Sequence, residues 1–570
     1  MRASLMMRAA TIRAALTAAA ALLAIGCTTD PCAGKAGACL GVTVKSSTVS
    51  QVDRFTFARD TGGERESNPG KAQSLPASVA ILFSPGEAGH IVLHVTAFLR
   101  GVPVGIGDIT TDLAEGAHGS VTTTLVNISP DEIDMSDPGD MAAPPNPDLN
   151  GFSCTPNTVV DCGNPSTLRT CGADGKSLSN TTCPLGCGDT PTPHCKGFFP
   201  SGAVTNADLT VAGTADITIA ANAVLNTDNG TIDNVRGATG DATMPDLKGG
   251  VNFRIVNNVA IFNFSSLTVP TGVTLTLKGA HAVALVATTD INIVGVVDAR
   301  GYTGTTLCMG GAAGPGGGIG AATSNGAGMG GGTKGTGSGS YGSGGGGGGF
   351  GDVGGRGGNI SGAVGGAAGG VYGNATLAPL IGGSGGGSSS AGNGGGGGGA
   401  VQLVAGGKIV IGTGAAVGGV NAGGCGGIGG YFGSGGGGGG SGGAIIVEAP
   451  VVQIAAKGVL AANGAGGGTG GGAQGSAGAL DAVRPTGSPS GSGTAGGFGG
   501  AGNGGQLAGT QGIDTTTQES GGGGGGVGRI RINNISGTLT LDAAAIVSPN
   551  LNAINTAAAA VSTVGTIDVH

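Results

Sequence analysis

The chain has 570 residues, 131 of them glycine, no tryptophan and a formal net charge of −8. So much glycine without a Gly-X-Y period excludes collagen, while 39% hydrophobic and only 10% charged residues exclude disorder throughout. The acidic balance offers no basic patch for phosphates and excludes nucleic acid as a partner.

Residues 1–26 read as a signal peptide. Arg2, Arg8 and Arg13 make a positive start, and Ala14 to Ile25 is apolar but too short to span a bilayer. The segment ends in Leu23-Ala-Ile-Gly-Cys27, which resembles a bacterial lipobox, in which the cysteine carries lipid. Ala24 stands where that pattern prefers leucine. Thr28 follows in place of the aspartate that retains lipoproteins at the inner membrane, so an outer-membrane or surface address is expected. Lipidation of Cys27 leaves ten of the eleven cysteines, an even number suited to disulfides in an exported chain.

Residues 27–39 form a lipid-anchored tether, with Cys32 and Cys39 spaced to close a small loop. Residues 40–128 are all-β. Leu40–Val44, Ser78–Phe83, Ile91–Val95 and Val121–Val126 are short apolar or β-branched runs separated by turn residues, which predicts a β-sandwich of the immunoglobulin-like kind. Residues 129–153 are a Pro/Asp linker; its carboxylates lack EF-hand spacing, so solvation is preferred to a calcium site. Residues 154–195 hold Cys154, Cys162, Cys171, Cys183, Cys187 and Cys195. Cys183, Cys187 and His194-Cys195 allow zinc, but an exported segment this small favours three disulfides, in one of fifteen connectivities.

From residue 196 the pattern predicts a parallel β-helix. Residues 196–301 supply its N-terminal coils, 302–548 a glycine-rich stretch, and 549–570 a tail or cap. Asp208–Val211, Asp216–Ile219, Ser266–Val269, Val273–Leu277, Asp290–Ile293 and Val296–Val297 are short strands. Later units repeat strand, turn, strand, turn, strand. One contains Gln402–Val404, Lys408–Ile411 and Ala416–Val417; the next contains Ile445–Val447, Val451–Ile454 and Gly458–Leu460; the last contains Arg529–Ile532, Thr538–Leu541 and Ala545–Val547. Four runs of six glycines, Gly344–Gly349, Gly394–Gly399, Gly435–Gly440 and Gly521–Gly526, start 50, 41 and 86 residues apart, a degenerate repeat. The tracts are excursions between coils. They are either flexible loops on one face or polyglycine-type strands packed beside it, and the scattered apolar residues favour partial order. Cys308 and Cys425 follow matching coil ends, which suggests a disulfide between two excursions.

No catalytic, cofactor or metal residue is predicted. Matches to G-x-G-x-x-G arise by chance within glycine tracts, and Gly348–Val353 lacks the aspartate offset of calcium-binding nonapeptides. His90, His94, His118, His194, His281 and His570 have no partners at metal-ligand spacing. Asp290, Asp298 and Arg300 are the one charged group arranged as in polysaccharide-cleaving β-helices, and turn or cap roles explain them more simply.

The lipobox-like end at Cys27, the cysteine module with Cys171-Gly-Ala-Asp-Gly175, the coil end Val297-Asp-Ala-Arg-Gly301 and Gly525–Asn533 together resemble the glycine-rich surface lipoproteins of myxobacteria. Such proteins are often labelled PE-PGRS-like, although the helical PE domain is lacking here. The resemblance implies an envelope location and no established activity. The expected function is a non-enzymatic envelope lipoprotein with a structural, adhesive or matrix role. Its partners are the membrane through the lipid anchor and extracellular polysaccharide or other surface proteins. The alternative is a carbohydrate-binding or polysaccharide-degrading β-helix protein.

Overall fold

The computed structural model describes residues 31–127 and 153–569, apart from 36, 47–48, 50, 60–63, 68–72, 84–88, 100–101, 184, 190–191, 310, 339–340, 414, 432, 490–494, 502–504 and 517–518. The signal segment, Cys27, residues 129–152 of the linker and His570 lie outside the described residues. The chain divides into two units, Met1–Asp148 and Leu149–His570. The named elements are β-strands and a 3₁₀ turn at Asn206–Thr210.

In the first unit, two larger sheets share one core, and Gln51–Val52 pairs with Gln73–Ser74 in a two-stranded third. Ala38–Lys45 lies between Ala77–Phe83, antiparallel, and His118–Thr124, parallel. The second sheet orders Val126–Asn127, Val102–Leu113, Gly89–Leu99, Arg54–Arg59 and Glu64–Ser67. Alternation explains the faces: Ile91, Leu93, Val95 and Ala97 enter the core with Val42, Val44, Phe55 and Ile81, while His90 and His94 point to solvent. Cys32 and Cys39 are disulfide-bonded and buried, and Cys39 already sits in the first strand.

The second unit opens with the cysteine module. Three antiparallel strands, Val159–Asn164, Thr167–Cys171 and Leu178–Thr182, are held by the bridges Cys154–Cys171, Cys162–Cys187 and Cys183–Cys195. All six cysteines are thereby committed to sulfur, and His194 Nδ1 sits 2.7 Å from the Thr192 carbonyl oxygen. The Asp174 carboxylate closes the Gly172–Gly175 turn; backbone N–H groups of Lys176 and Ser177 and the Ser177 hydroxyl hold it below the usual carboxylate range.

Beyond it, three predominantly parallel sheets are visited in a fixed order. The eight-stranded sheet contains Val259–Phe264, Ala282–Ala287, Ala400–Ala405, Ala444–Glu448, Arg529–Asn534 and Ser562–Thr566, preceded by antiparallel strands at Asp246–Lys248 and Val251–Val256. The chain then passes to a six-stranded sheet with Ser266–Val269, Ile291–Ile293, Lys408–Ile411, Val451–Ile454 and Thr540–Leu541, and on to a third with Thr274–Lys278, Val296–Asp298, Gly418–Asn421, Gly458–Ala461 and Ile546–Ser548. Inward residues of all three, among them Leu267, Leu275, Leu285, Ile291, Val297, Leu403, Ile409, Val420, Ile445, Val452 and Leu460, form one continuous core. Parallel register stacks like on like, as in Leu285↔Leu403↔Val447↔Ile532.

Two expected strands are replaced. Asp208–Val211 is not extended: Thr205 and Asp208 form a capping box that winds 206–210 into the 3₁₀ turn, the Asp208 carboxylate accepting the Thr205 N–H at 2.8 Å. The strand expected at Ala416–Val417 is displaced to Gly418–Asn421, where Val420 reaches the core and Val417 stays exposed.

The long excursions, 302–399, 422–443 and 462–528, all leave after the third sheet and re-enter at the eight-stranded one. Their bases therefore stack at a single corner.

Candidate functional site

The glycine tracts are ordered and buried at that corner. Along Gly436–Gly443 the backbone donors rotate among three neighbours. Gly436, Gly439 and Gly442 donate to the carbonyls of Ser520, Gly523 and Gly526; Gly437, Gly440 and Gly443 to Ile428, Cys425 and Ala422; Gly438 and Ser441 to Gly387 and Ser384, all at 2.7–3.0 Å. The same tract accepts from Gly345 and Gly348, from Gly395 and Gly398, and from Ala465 and Gly468. Three residues per turn, with bonds between helices and none within, is the polyproline-II geometry. Six neighbours around one helix is hexagonal packing.

Packing explains the composition. A Cβ on Gly437, Gly438, Gly439 or Gly440 would overlap the carbonyl oxygens of Asn393, Gly346, Ala465 or Gly396 respectively. A helix enclosed on all sides has no direction for a side chain, so interior tracts are uninterrupted glycine. Helices nearer the rim free one direction per turn, and there the sequence runs Gly-Gly-X. Examples are Ala422-Gly-Gly-Cys425-Gly-Gly-Ile428-Gly-Gly-Tyr431, Val353-Gly-Gly-Arg356-Gly-Gly-Asn359 and Ala495-Gly-Gly-Phe498-Gly-Gly-Ala501. Tyr431 and Phe498 are largely exposed at such positions. This local three-residue spacing was available in the sequence and is the signal that the two-residue strand pattern obscured.

Cys308 and Cys425 are joined, tying the first excursion to the second. The Gln474 amide donates to the Cys308 carbonyl at 2.9 Å and the Gly426 carbonyl at 3.2 Å, bringing the third excursion to the same point.

The eight-stranded sheet is buried on its outer side too. Phe198, Val204 and Leu209 cross it as a strap, packed on Ile261, Ala284, Val404 and Ile446. One end pairs Phe198 with Val569; the other is held by Asp208 against Arg254 at 2.6 Å. Its middle is fixed by Glu448, a fully buried carboxylate accepting the Ser201 N–H at 2.9 Å, the Ser201 hydroxyl at 2.6 Å, Gln402 Nε2 at 2.7 Å and Asn533 Nδ2 at 2.8 Å.

The charged groups singled out by sequence do not converge. Asp298 closes its own turn, accepting Arg300 Nη2 at 2.6 Å and the Arg300 N–H at 3.1 Å. Asp290 serves a different sheet, taking the Lys408 N–H at 2.9 Å. His90 and His94 form separate exposed cross-strand pairs, with Asp112 at 2.9 Å and Asp108 at 2.7 Å. His118 contacts the Lys35 carbonyl and His281 the Asn258 side chain. Among the described residues no three His, Cys, Asp or Glu side chains gather as a metal site.

Tyr372 anchors the lattice to the sheet. Its hydroxyl donates to the Gly382 carbonyl at 2.7 Å and accepts from Ser384 Oγ at 2.9 Å, beneath Phe350 and beside Arg529. Burial pushes the phenol up to about 12. The folded state thus resists ionisation that the unfolded chain undergoes at 10.0, so stability falls as pH rises from there towards about 12. An absorbance titration, free of tryptophan, is expected to show a late component near pH 12 that Tyr372→Phe removes. If Tyr372→Phe leaves the curve unchanged, the buried phenol is misassigned.

Comparison with protein-family models, curated proteins and solved structures returned no match.

Proposed function

We propose that the three sheets are the faces of a parallel β-helix, that the first unit is an immunoglobulin-like β-sandwich acting as a spacer, and that the whole is a non-enzymatic lipoprotein of the outer membrane or cell surface. Its role is structural, adhesive or matrix-forming. It stands with the glycine-rich surface lipoproteins it resembles in sequence, anchored through lipid on Cys27. The observation that carries this reading is the interlocked glycine lattice, a rigid and nearly uncharged body built on one corner of the sheets. Five disulfides support export to an oxidising compartment.

The test is protease shaving of intact cells with an immunoblot for residues 200–570. Loss of signal without lysis is expected. Protection that ends only on outer-membrane permeabilisation would put the protein in the periplasm and sink the adhesive role.

A further inference from the structure

One cleft in the second unit carries chemistry that the scaffold does not use. It has a volume of about 500 Å³ and lies where the third excursion meets the C-terminal segment. Its charged lining residues are Asp352 and Arg484, and Leu507, Ile554, Thr510 and Thr556 contribute to the rest.

The two charges are not equivalent. Asp352 is buried and spoken for: it accepts the Val353 N–H at 2.8 Å and both the N–H and hydroxyl of Thr556, and its charge faces Arg529. Among the described residues the partners of Arg484 are neutral oxygens. Nε donates to the Gly499 carbonyl at 2.6 Å, Nη2 to the Ala508 carbonyl at 2.9 Å, and Nη1 to the Gln506 side-chain oxygen. Among the described residues no carboxylate forms an ion pair with it. Burial lowers its pKa without an opposing charge to restore it. A guanidinium has five N–H donors, and three are named here. Packing over the Phe498 ring, 5.7 Å from its centroid, helps fix its orientation.

A half-buried, oriented and uncompensated guanidinium is suited to a planar anion, which it can engage through paired hydrogen bonds. The cleft volume falls within the range of small-ligand sites, about 300–1,000 Å³. Ile554 offers an exposed apolar face, and the Thr510 hydroxyl, which accepts the Phe498 N–H at 2.7 Å, retains its own proton to donate. We propose that this cleft binds a hydroxylated carboxylate of the sugar-acid class, its carboxylate on Arg484 and its ring against Ile554. The source is either a free sugar acid or an acidic polysaccharide. The site does not depend on the envelope address, so its test is independent of the shaving experiment.

The experiment is isothermal titration of the mature, disulfide-intact chain with D-glucuronate, with glucose and inorganic phosphate as comparisons. Saturable glucuronate binding is expected, with neither comparison competing. Arg484→Gln is expected to weaken it at least tenfold. Because that change also loosens bonds to Gly499 and Ala508, Ile554→Glu is the second variant. Ile554 is 58% exposed, so the new carboxylate leaves the fold intact and repels the ligand, again with at least a tenfold loss. Absence of glucuronate binding, equal competition by phosphate, or unchanged binding in both variants would overturn the proposal. Titration with an oligogalacturonate separates the two sources: tighter binding than the monomer supports a polymer end, and weaker binding supports the free acid.

Discussion

Gly438→Ala is expected to prevent the glycine-rich corner from assembling. Gly438 donates to the Gly387 carbonyl at 2.9 Å and accepts from Gly395 at 2.8 Å, while a Cβ there would overlap the Gly346 carbonyl oxygen. Overpacked side chains usually relax and cost about 1–3 kcal/mol. Here the obstacle is backbone, and Gly346 is itself bonded to Thr333, so nothing can rotate aside. A loss of about 3 kcal/mol or more follows by the same reasoning. Ala367→Ser is the matched control: Ala367 is exposed, and a change there is expected to stay within about 0.5 kcal/mol. Denaturant unfolding of both variants decides it. Equal midpoints for Gly438→Ala and the unsubstituted chain would discard hexagonal packing as the reason for the six-glycine runs.

The second large effect is expected for Glu448→Ala. The change leaves four donors without an acceptor, two on Ser201 and one each on Gln402 and Asn533. Gln402 Oε1 and Asn533 Oδ1 are buried without partners among the described residues, so the cluster is already short of hydrogen bonds before Glu448 is removed. Orphaning a buried hydrogen-bonding group costs about 1–3 kcal/mol, and several donors are orphaned here at once. The strap should detach first. Limited proteolysis is expected to cut near residues 198–211 in Glu448→Ala under conditions that spare the unsubstituted chain. Glu448→Gln, which keeps one acceptor oxygen, should fall between them. Identical digestion of all three would show that apolar packing of Phe198, Val204 and Leu209 holds the strap without Glu448.

Much of the strand layout was legible because strands buried on both faces are short, nearly continuous apolar runs. Gln402–Val404, Ile445–Val447 and Arg529–Ile532 read as strands and lie in Ala400–Ala405, Ala444–Glu448 and Arg529–Asn534, which pair side by side. Third-sheet strands were harder, since Gly418 and Gly419 carry no side chain to mark a face. The Asp208 turn was missed because Leu209 and Val211 alternate like a strand, while Thr205 and Asp208, which decide the matter, lie partly outside that window. The partners of the module cysteines depend on which strands turn back, and spacing alone does not fix that. Nothing local to Glu448 marks it, because its role comes from Ser201, 247 residues away. Arg484 carries no local motif, and only the return of the C-terminal segment makes a cleft beside it.

The rotation of donors around Gly436–Gly443 also gives these excursions a reading frame. At three residues and about 9 Å per turn, one inserted residue twists everything downstream by about a third of a turn. In Ala422–Tyr431 that would swing Ile428 and Tyr431 inward against backbone and present glycine to solvent. Inserting three residues restores the orientation but advances the helix by a full turn past its partners. Excursions can therefore lengthen freely only at their outer tips. The tracts themselves should vary between relatives by substitution at X and in steps of three, much as a coding sequence tolerates whole codons and not single bases.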